Sequence, residues 1–293
     1  MRQSVAAVVV SLAIISAVMV YQHRIYLDML RSMYSSLSTH AQNESSKEGT
    51  DSWVRDYYSK QAADRIRALD AISNESANFA VLYNVLVPEV FCRDLVRVGN
   101  VVDGGKFVCN PKAMPKGNCS VYSLGLREDI SFDRDIQEFN NSTCRIYGYD
   151  MTSQSKAVID EYHAINGKIR TLVIGSSTNA SENVYFLGDL LLNNGDTYAE
   201  FLKMDIEGAE HYTLIPFLKL YSVCQLFLEV HHYKPINHVK LLQQIARLDY
   251  ALFFYEVNGD SLQACEYSFI HLTCMKRYGV SMLKLYLKFI KLP

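Results

Sequence analysis

Net charge is almost missing from this chain: 29 Lys and Arg stand against 31 Asp and Glu over 293 residues, leaving −2. No stripe of basic side chains with interleaved aromatics occurs, so nucleic acid is not an expected partner. The seven cysteines include no CxxC pair and no Cys/His cluster, which excludes the closely spaced ligands of a structural zinc site. Internal repeats are absent. So is G-x-G-x-x-G, the fingerprint of a dinucleotide-binding loop.

Asp, Glu, Lys and Arg are also lacking between Arg2 and Arg24, where Val5 to Val20 is apolar apart from Ser11 and Ser16. About 20 helical residues cross the ~30 Å hydrocarbon core of a bilayer, so this run is long enough to span one. A cleaved signal peptide would carry a shorter apolar region and an A-x-A-like site, and no such site follows Val20. The reading is a signal-anchor transmembrane helix at residues 1–24, with a cytoplasmic tip and the rest of the chain in the lumen of the endoplasmic reticulum or Golgi. Arg2 against Arg24 and Arg31 hardly sets the orientation. Sequons beginning at Asn43, Asn74, Asn118, Asn140, Asn141 and Asn179 favour the luminal side.

What is present is apolar substance. At 49 per cent apolar, with 20 Tyr and 13 Phe, the chain can fill one sizeable core. Ser35 to Ser52 is polar and reads as a flexible luminal stem within residues 25–60. Trp53 to Ile72 has helical spacing, and a second helix carries Phe79 to Leu86 before Pro88. Residues 61–118 thus form a helical extension ending in the Asp103-Gly104-Gly105 loop. From residue 119 to 280, short apolar runs alternate with helical stretches, the mark of βαβ units and a parallel sheet. Strands are expected near 120–124, 145–149, 169–174, 201–204, 225–230, 251–257 and 269–275, with a turn-rich link over 256–263. In the basic tail, residues 281–293, Lys284, Lys288 and Lys291 are spaced like one face of a helix; it could lie on a membrane, but a final helix packed on the domain, or a frayed end, is the preferred reading.

The most telling segment is Lys203-Met204-Asp205-Ile206-Glu207-Gly208-Ala209-Glu210, an apolar strand that ends in acids and a glycine and turns helical. Strand ends of this kind form the ligand crevice of an open α/β sheet. The plainer reading leaves Glu207 and Glu210 to favour a helix dipole. Upstream stand Cys92-Arg93-Asp94-Leu95-Val96-Arg97-Val98-Gly99, Asp103-Gly104-Gly105-Lys106-Phe107-Val108-Cys109 and Ser131-Phe132-Asp133. Together these resemble the FkbM-type S-adenosylmethionine-dependent methyltransferases, and among them an animal secretory-pathway branch, over roughly residues 85–275. The resemblance implies a Rossmann-like, seven-stranded methyltransferase sheet whose seventh strand is antiparallel.

It also implies a cofactor site. Ser123-Leu124-Gly125-Leu126-Arg127-Glu128-Asp129 occupies the place where the family holds the methionine part of S-adenosyl-L-methionine, giving Gly125, Arg127 and Asp129 as contacts. Asp150, 25 residues beyond Gly125, has nearly the spacing of a ribose-binding acid; helix capping is its competing role. Asp189 could approach adenine or serve as an ordinary turn. Asp205 would orient cofactor or substrate. In Glu229-Val230-His231-His232, residues 229 and 231 share a strand face, so His231, supported by Glu229, is the candidate general base for a hydroxyl acceptor. No metal is expected in this reading. Cys92 and Cys109 flank the glycine loop and are the preferred disulfide, against the alternative of two buried free thiols. Two rival functions remain: a luminal glycosyltransferase using Asp205-x-Glu207 as a metal pair, and a non-catalytic binding protein. The acceptor, whether glycan, lipid or small molecule, is not legible.

Overall fold

The computed structural model describes residues 52–291. The apolar run of residues 5–20 and most of the polar stem lie outside the described residues, among which no helix is long and apolar enough to cross a membrane. The chain opens with helices α1 (Ser52–Asp70) and α2 (Asn78–Val85), so the expected stem already becomes helical before residue 60. Strand β1 (Val90–Cys92) follows, then a hairpin of β2 (Leu95–Val98) and β3 (Lys106–Cys109). Alternation begins with β4 (Ser120–Leu124), α3 (Ser131–Asn140), β5 (Arg145–Asp150), α4 (Lys156–Ala164) and β6 (Gly167–Thr171). A small parallel pair, β7 (Val173–Gly175) and β8 (Val184–Phe186), precedes α5 (Leu187–Asn193), β9 (Tyr198–Met204), α6 (Glu210–Leu218) and β10 (Ser222–His231). The chain closes with α7 (Pro235–Ala246), β11 (Tyr250–Val257), β12 (Ala264–His271), α8 (Met275–Tyr278) and β13 (Val280–Met282).

Seven strands form the main sheet in the order β11-β12-β10-β9-β4-β5-β6. The strands from β6 to β10 are mutually parallel, while β12 runs antiparallel to both of its neighbours. Side chains alternate between two cores, as the period of two requires. Tyr122, Leu202 and Leu228 face the layer built by α1, α2, α5, α6 and α7; Val121, Phe201 and Phe227 face the layer built by the hairpin, α3, α4 and α8. Residues 61–118 are therefore part of the same body.

Three sequence expectations are corrected. The last sheet strand begins at Ala264, not Phe269, and residues 272–278 are helical. The run 169–174 breaks at Leu172 into β6 and β7, which join different sheets. The basic tail is no amphipathic helix: β13 pairs with β1, and Tyr286 N–H and Leu287 N–H donate to the buried Glu89 carboxylate at 2.7 and 2.9 Å. Those contacts lock the tail onto the body.

The hairpin β2–β3 has an electrostatic purpose. Glu229, Glu266 and Glu256 lie opposite one another across β10, β12 and β11, and like charges directly opposite in a sheet repel. The hairpin supplies the counter-charges: Lys106 pairs with Glu266 in the interior, and Arg97 lies 3.1 Å from Glu256. Gln225 completes the attachment by exchanging hydrogen bonds of 2.9 and 2.8 Å with the backbone of Cys109. The structure joins Cys92 to Cys109 by a disulfide. Cys119–Cys144 and Cys224–Cys274 are also joined, two pairs that spacing alone did not single out, and Cys265 is free and buried.

Candidate active site

The sheet changes direction between β4, whose connection leads to β5, and β9, whose successor β10 lies on the opposite side. A crevice opens at the carboxyl ends of strands at such a switch. Gly125 ends β4 here with φ +78°, and a Cβ on it would lie 1.7 Å from the Asp205 carbonyl oxygen. Only glycine lets the two strand ends approach this closely. Lys203 Nζ donates to the Gly125 carbonyl at 2.9 Å. Leu126 N–H and Arg127 N–H both donate to one oxygen of Asp150 at 2.8 Å, while Thr152 N–H and Oγ1 donate to the other at 2.7 Å. Burial pushes the Asp150 pKa up, but these donors, that of Arg127 foremost, outweigh it and hold the group below the usual carboxylate value. Asp150 is thus at the expected strand end, and its oxygens are engaged in fixing the 125–127 loop.

Two cavities meet at this junction, sharing Gly125, Arg127, Asp205, Glu207 and Gly208. One, about 680 Å³, runs toward Tyr149, Asp150, Leu172 and Ile174, an apolar wall with one acid at its edge. The other, about 500 Å³, runs toward Asp103, Gly104, Glu229, His231, Tyr233 and Asn258, and is polar. Asp129 lines the second cavity rather than the first, because its carboxylate accepts from Asn100 Nδ2 and Ser131 N–H and so anchors the glycine loop to α3. Asp189 reaches neither cavity; it accepts a hydrogen bond from Thr178 Oγ1 on the β7–β8 connection.

Beyond β9 the chain reverses through Glu207 at φ +56° and Gly208 at φ +99°, which brings the first residue of α6 back over the strand ends. Glu210 is wholly buried there, with one carboxylate oxygen accepting from Ile206 N–H at 2.9 Å and the other without a hydrogen-bond partner. His231, at the end of β10, stands at the centre of an acidic ring. Its Nδ1 is 3.5 Å from Glu210; its Nε2 is 3.8 Å from Glu229, 3.8 Å from Glu207 and 3.9 Å from Asp205. Burial alone would push its pKa down, but Glu210, Glu229 and Asp205 outweigh it and raise the imidazole to about 9. Burial, with Glu266 and Asp205 nearby, raises Glu229 to about 7. These neighbours favour the charged imidazole, and Glu229 beside it is fixed by Asn258 Nδ2, which donates to its Oε1 at 3.1 Å. His232, the next residue along, instead accepts from Lys234 N–H at 3.0 Å and stacks on Tyr233.

Sequence reasoning missed Glu210, Lys203 and Lys106 as site-building residues. Lys203 and Lys106 were visible only as charges inside apolar strands, and Glu210 as a first-turn acid five residues after Asp205.

The chain was compared with known proteins. No curated protein shows significant sequence similarity to it. Among solved structures, the Methanococcus jannaschii fibrillarin pre-rRNA processing protein aligns over 61 per cent of this chain and 83 per cent of its own, at 8 per cent identity and a TM-score of 0.35. A family model described as a methyltransferase domain matches residues 27–271. That span takes in every strand end that lines the two cavities, and leaves the nucleotide-sugar reading of Asp205-x-Glu207 without support: the chain belongs to this methyltransferase-domain family.

Proposed function

We propose that the protein transfers a methyl group from S-adenosylmethionine to a hydroxyl oxygen of a glycan, lipid or small-molecule acceptor, as an FkbM-type enzyme of the secretory pathway. The observation that carries this reading is the pair of cavities joined at Gly125 and Asp205, one apolar-walled and one acidic. The residues present suit the cofactor: Tyr149, Leu172 and Ile174 offer faces for a base, Asp150 and the 125–127 backbone border the ribose region, and the acids at the junction favour a cationic sulfonium. When bound, S-adenosylmethionine supplies an electrophilic methyl group whose C–S bond breaks as the C–O bond forms, with the sulfur keeping the electron pair. The chain's own work is positioning, which can contribute several kcal/mol, and proton removal. Glu229 takes the hydroxyl proton in the polar cavity, and Asp205 holds the acceptor against the shared wall.

Calorimetric titration of S-adenosylmethionine into the protein tests this. Saturable binding is expected, weakened by about 1–3 kcal/mol in Asp150→Ala because the 126–127 loop loses its anchor. A folded chain that takes up neither the cofactor nor its demethylated product would make the non-catalytic alternative the better one.

Three disulfides suit an oxidising compartment, and the sequon residues Asn74, Asn118, Asn141 and Asn179 are exposed. Asn140 is buried against Thr143 and cannot carry a glycan. Expression in a secretory host should therefore yield a protein whose gel mobility shifts on endoglycosidase treatment. An unshifted band from a chain that external protease digests in intact microsomes would contradict the luminal placement.

A further inference from the structure

We propose that Asp205 and His231, which line the polar cavity, and the buried Glu210 behind them form a divalent-cation site. One donor atom from each lies within 4.8 Å of the other two, the only such group of three or more among the described residues. The second observation is independent of that cluster's charge. Glu210 is wholly buried, yet one of its carboxylate oxygens has no hydrogen-bond partner, and neither has the buried Nδ1 of His231. A buried carboxylate oxygen without a donor is costly. Both orphaned atoms belong to the triad.

The supports are built for this purpose by three separate elements. Asp205 leaves β9, Glu210 opens α6 behind the left-handed turn at Glu207 and Gly208, and His231 ends β10. Ile206 N–H fixes Glu210 by donating to the oxygen that also lies 3.5 Å from His231 Nδ1, and the second oxygen is left without a hydrogen-bond partner. Two carboxylates and one imidazole make a mixed oxygen and nitrogen set. Ca²⁺ asks for six to eight oxygens, whereas three-ligand Zn²⁺ sites with an open position also take mixed imidazole and carboxylate sets. Mn²⁺ accepts both donor types at an incomplete octahedron, with the remaining positions open to the cavity. This revises the expectation of a metal-free site and selects Glu210 over Glu207, whose side chain is exposed, as the partner of Asp205.

The catalytic consequence rests on the methyltransferase reading, although the binding does not. A hydroxyl oxygen coordinated to the ion loses its proton more readily, and Glu229, outside the triad but 3.8 Å from His231 Nε2, is placed to receive it. Acceptors able to offer two neighbouring oxygens, such as the vicinal hydroxyls of a sugar, would fill two open positions at once.

Electron paramagnetic resonance of free Mn²⁺ in the presence of the full-length, chelator-treated chain tests the site. The free-ion signal should fall until one equivalent is bound at micromolar Mn²⁺, and His231→Gln and Asp205→Asn should each weaken binding about tenfold or more. Glu210→Gln removes the buried ligand, but it risks the fold, so the other two variants decide. An undiminished signal with folded protein, or equal binding in both variants, overturns the proposal. A parallel titration with S-adenosylmethionine separates the two readings: cofactor binding without Mn²⁺ binding sinks the cation site alone, and Mn²⁺ binding abolished by the variants without cofactor binding upholds it while removing the methyltransferase function.

Discussion

Gly125→Ala is expected to abolish detectable cofactor binding and to lower stability by more than about 2 kcal/mol, combining a strained left-handed residue with overpacking against backbone. The new Cβ would meet the Asp205 carbonyl at 1.7 Å, and backbone on a central strand cannot yield as a flexible side chain can. Something must separate: either the ends of β4 and β9 or the loop from the Asp150 carboxylate. Both cavities share that wall, so both would deform. Gly117→Ala is the control, since Gly117 has φ +80° and a Cβ added there would meet nothing within 4 Å; it should show the left-handed backbone penalty alone, about 1–2 kcal/mol. Thermal melts of the two variants with a calorimetric titration of each make the measurement. If they behave alike, close approach at Gly125 is not what shapes the site.

His231→Ala, which removes the imidazole standing 3.8 Å from the proton-accepting Glu229, should reduce methyl transfer by about 10–100-fold while leaving S-adenosylmethionine affinity nearly intact. The asymmetry comes from position: His231 lines the acidic cavity and is absent from the apolar-walled one, whereas Asp205 lines both. Asp205→Asn should therefore impair binding and turnover together. His232→Ala, which loses a turn-stabilising acceptor for Lys234 N–H, should have a much smaller effect. Slow transfer to a panel of glycans and glycosides provides the assay. Full activity in His231→Ala would remove the imidazole from the chemistry.

Much of the sheet was legible because a buried parallel strand is a nearly continuous apolar run bounded by turns. The cores of β4, β5, β9, β10 and β11 all read that way. Strand β12 did not, since its first half, Ala264-Cys265-Glu266-Tyr267, carries a glutamate whose charge is offset by Lys106, 160 residues earlier. Lysine spacing in the tail suggested a helix because periodicity cannot register the carboxylate of Glu89 that captures the tail's backbone. For the site, strand-end position put Gly125, Asp150, Asp205, Glu229 and His231 on one edge. The spacing of Asp150 indicated an acid but not that four donors already surround it. Glu210 escaped notice because first-turn acids are common, and only the reversal at Glu207 and Gly208 turns this one inward.

The three disulfides follow one another along the chain, 92 to 109, 119 to 144, then 224 to 274, with none enclosing or interlocking another and the free Cys265 inside the last loop. The first two pairs are each complete in the sequence before the next cysteine occurs, so order along the chain alone could select them. Cys265 comes between Cys224 and Cys274, so the third pair has to be selected by the fold. All six bonded cysteines lie in the core on the hairpin side of the sheet, and the free Cys265 lies in the other. One layer is thus tied covalently at three points, while the opposite layer carries no covalent tie among the described residues.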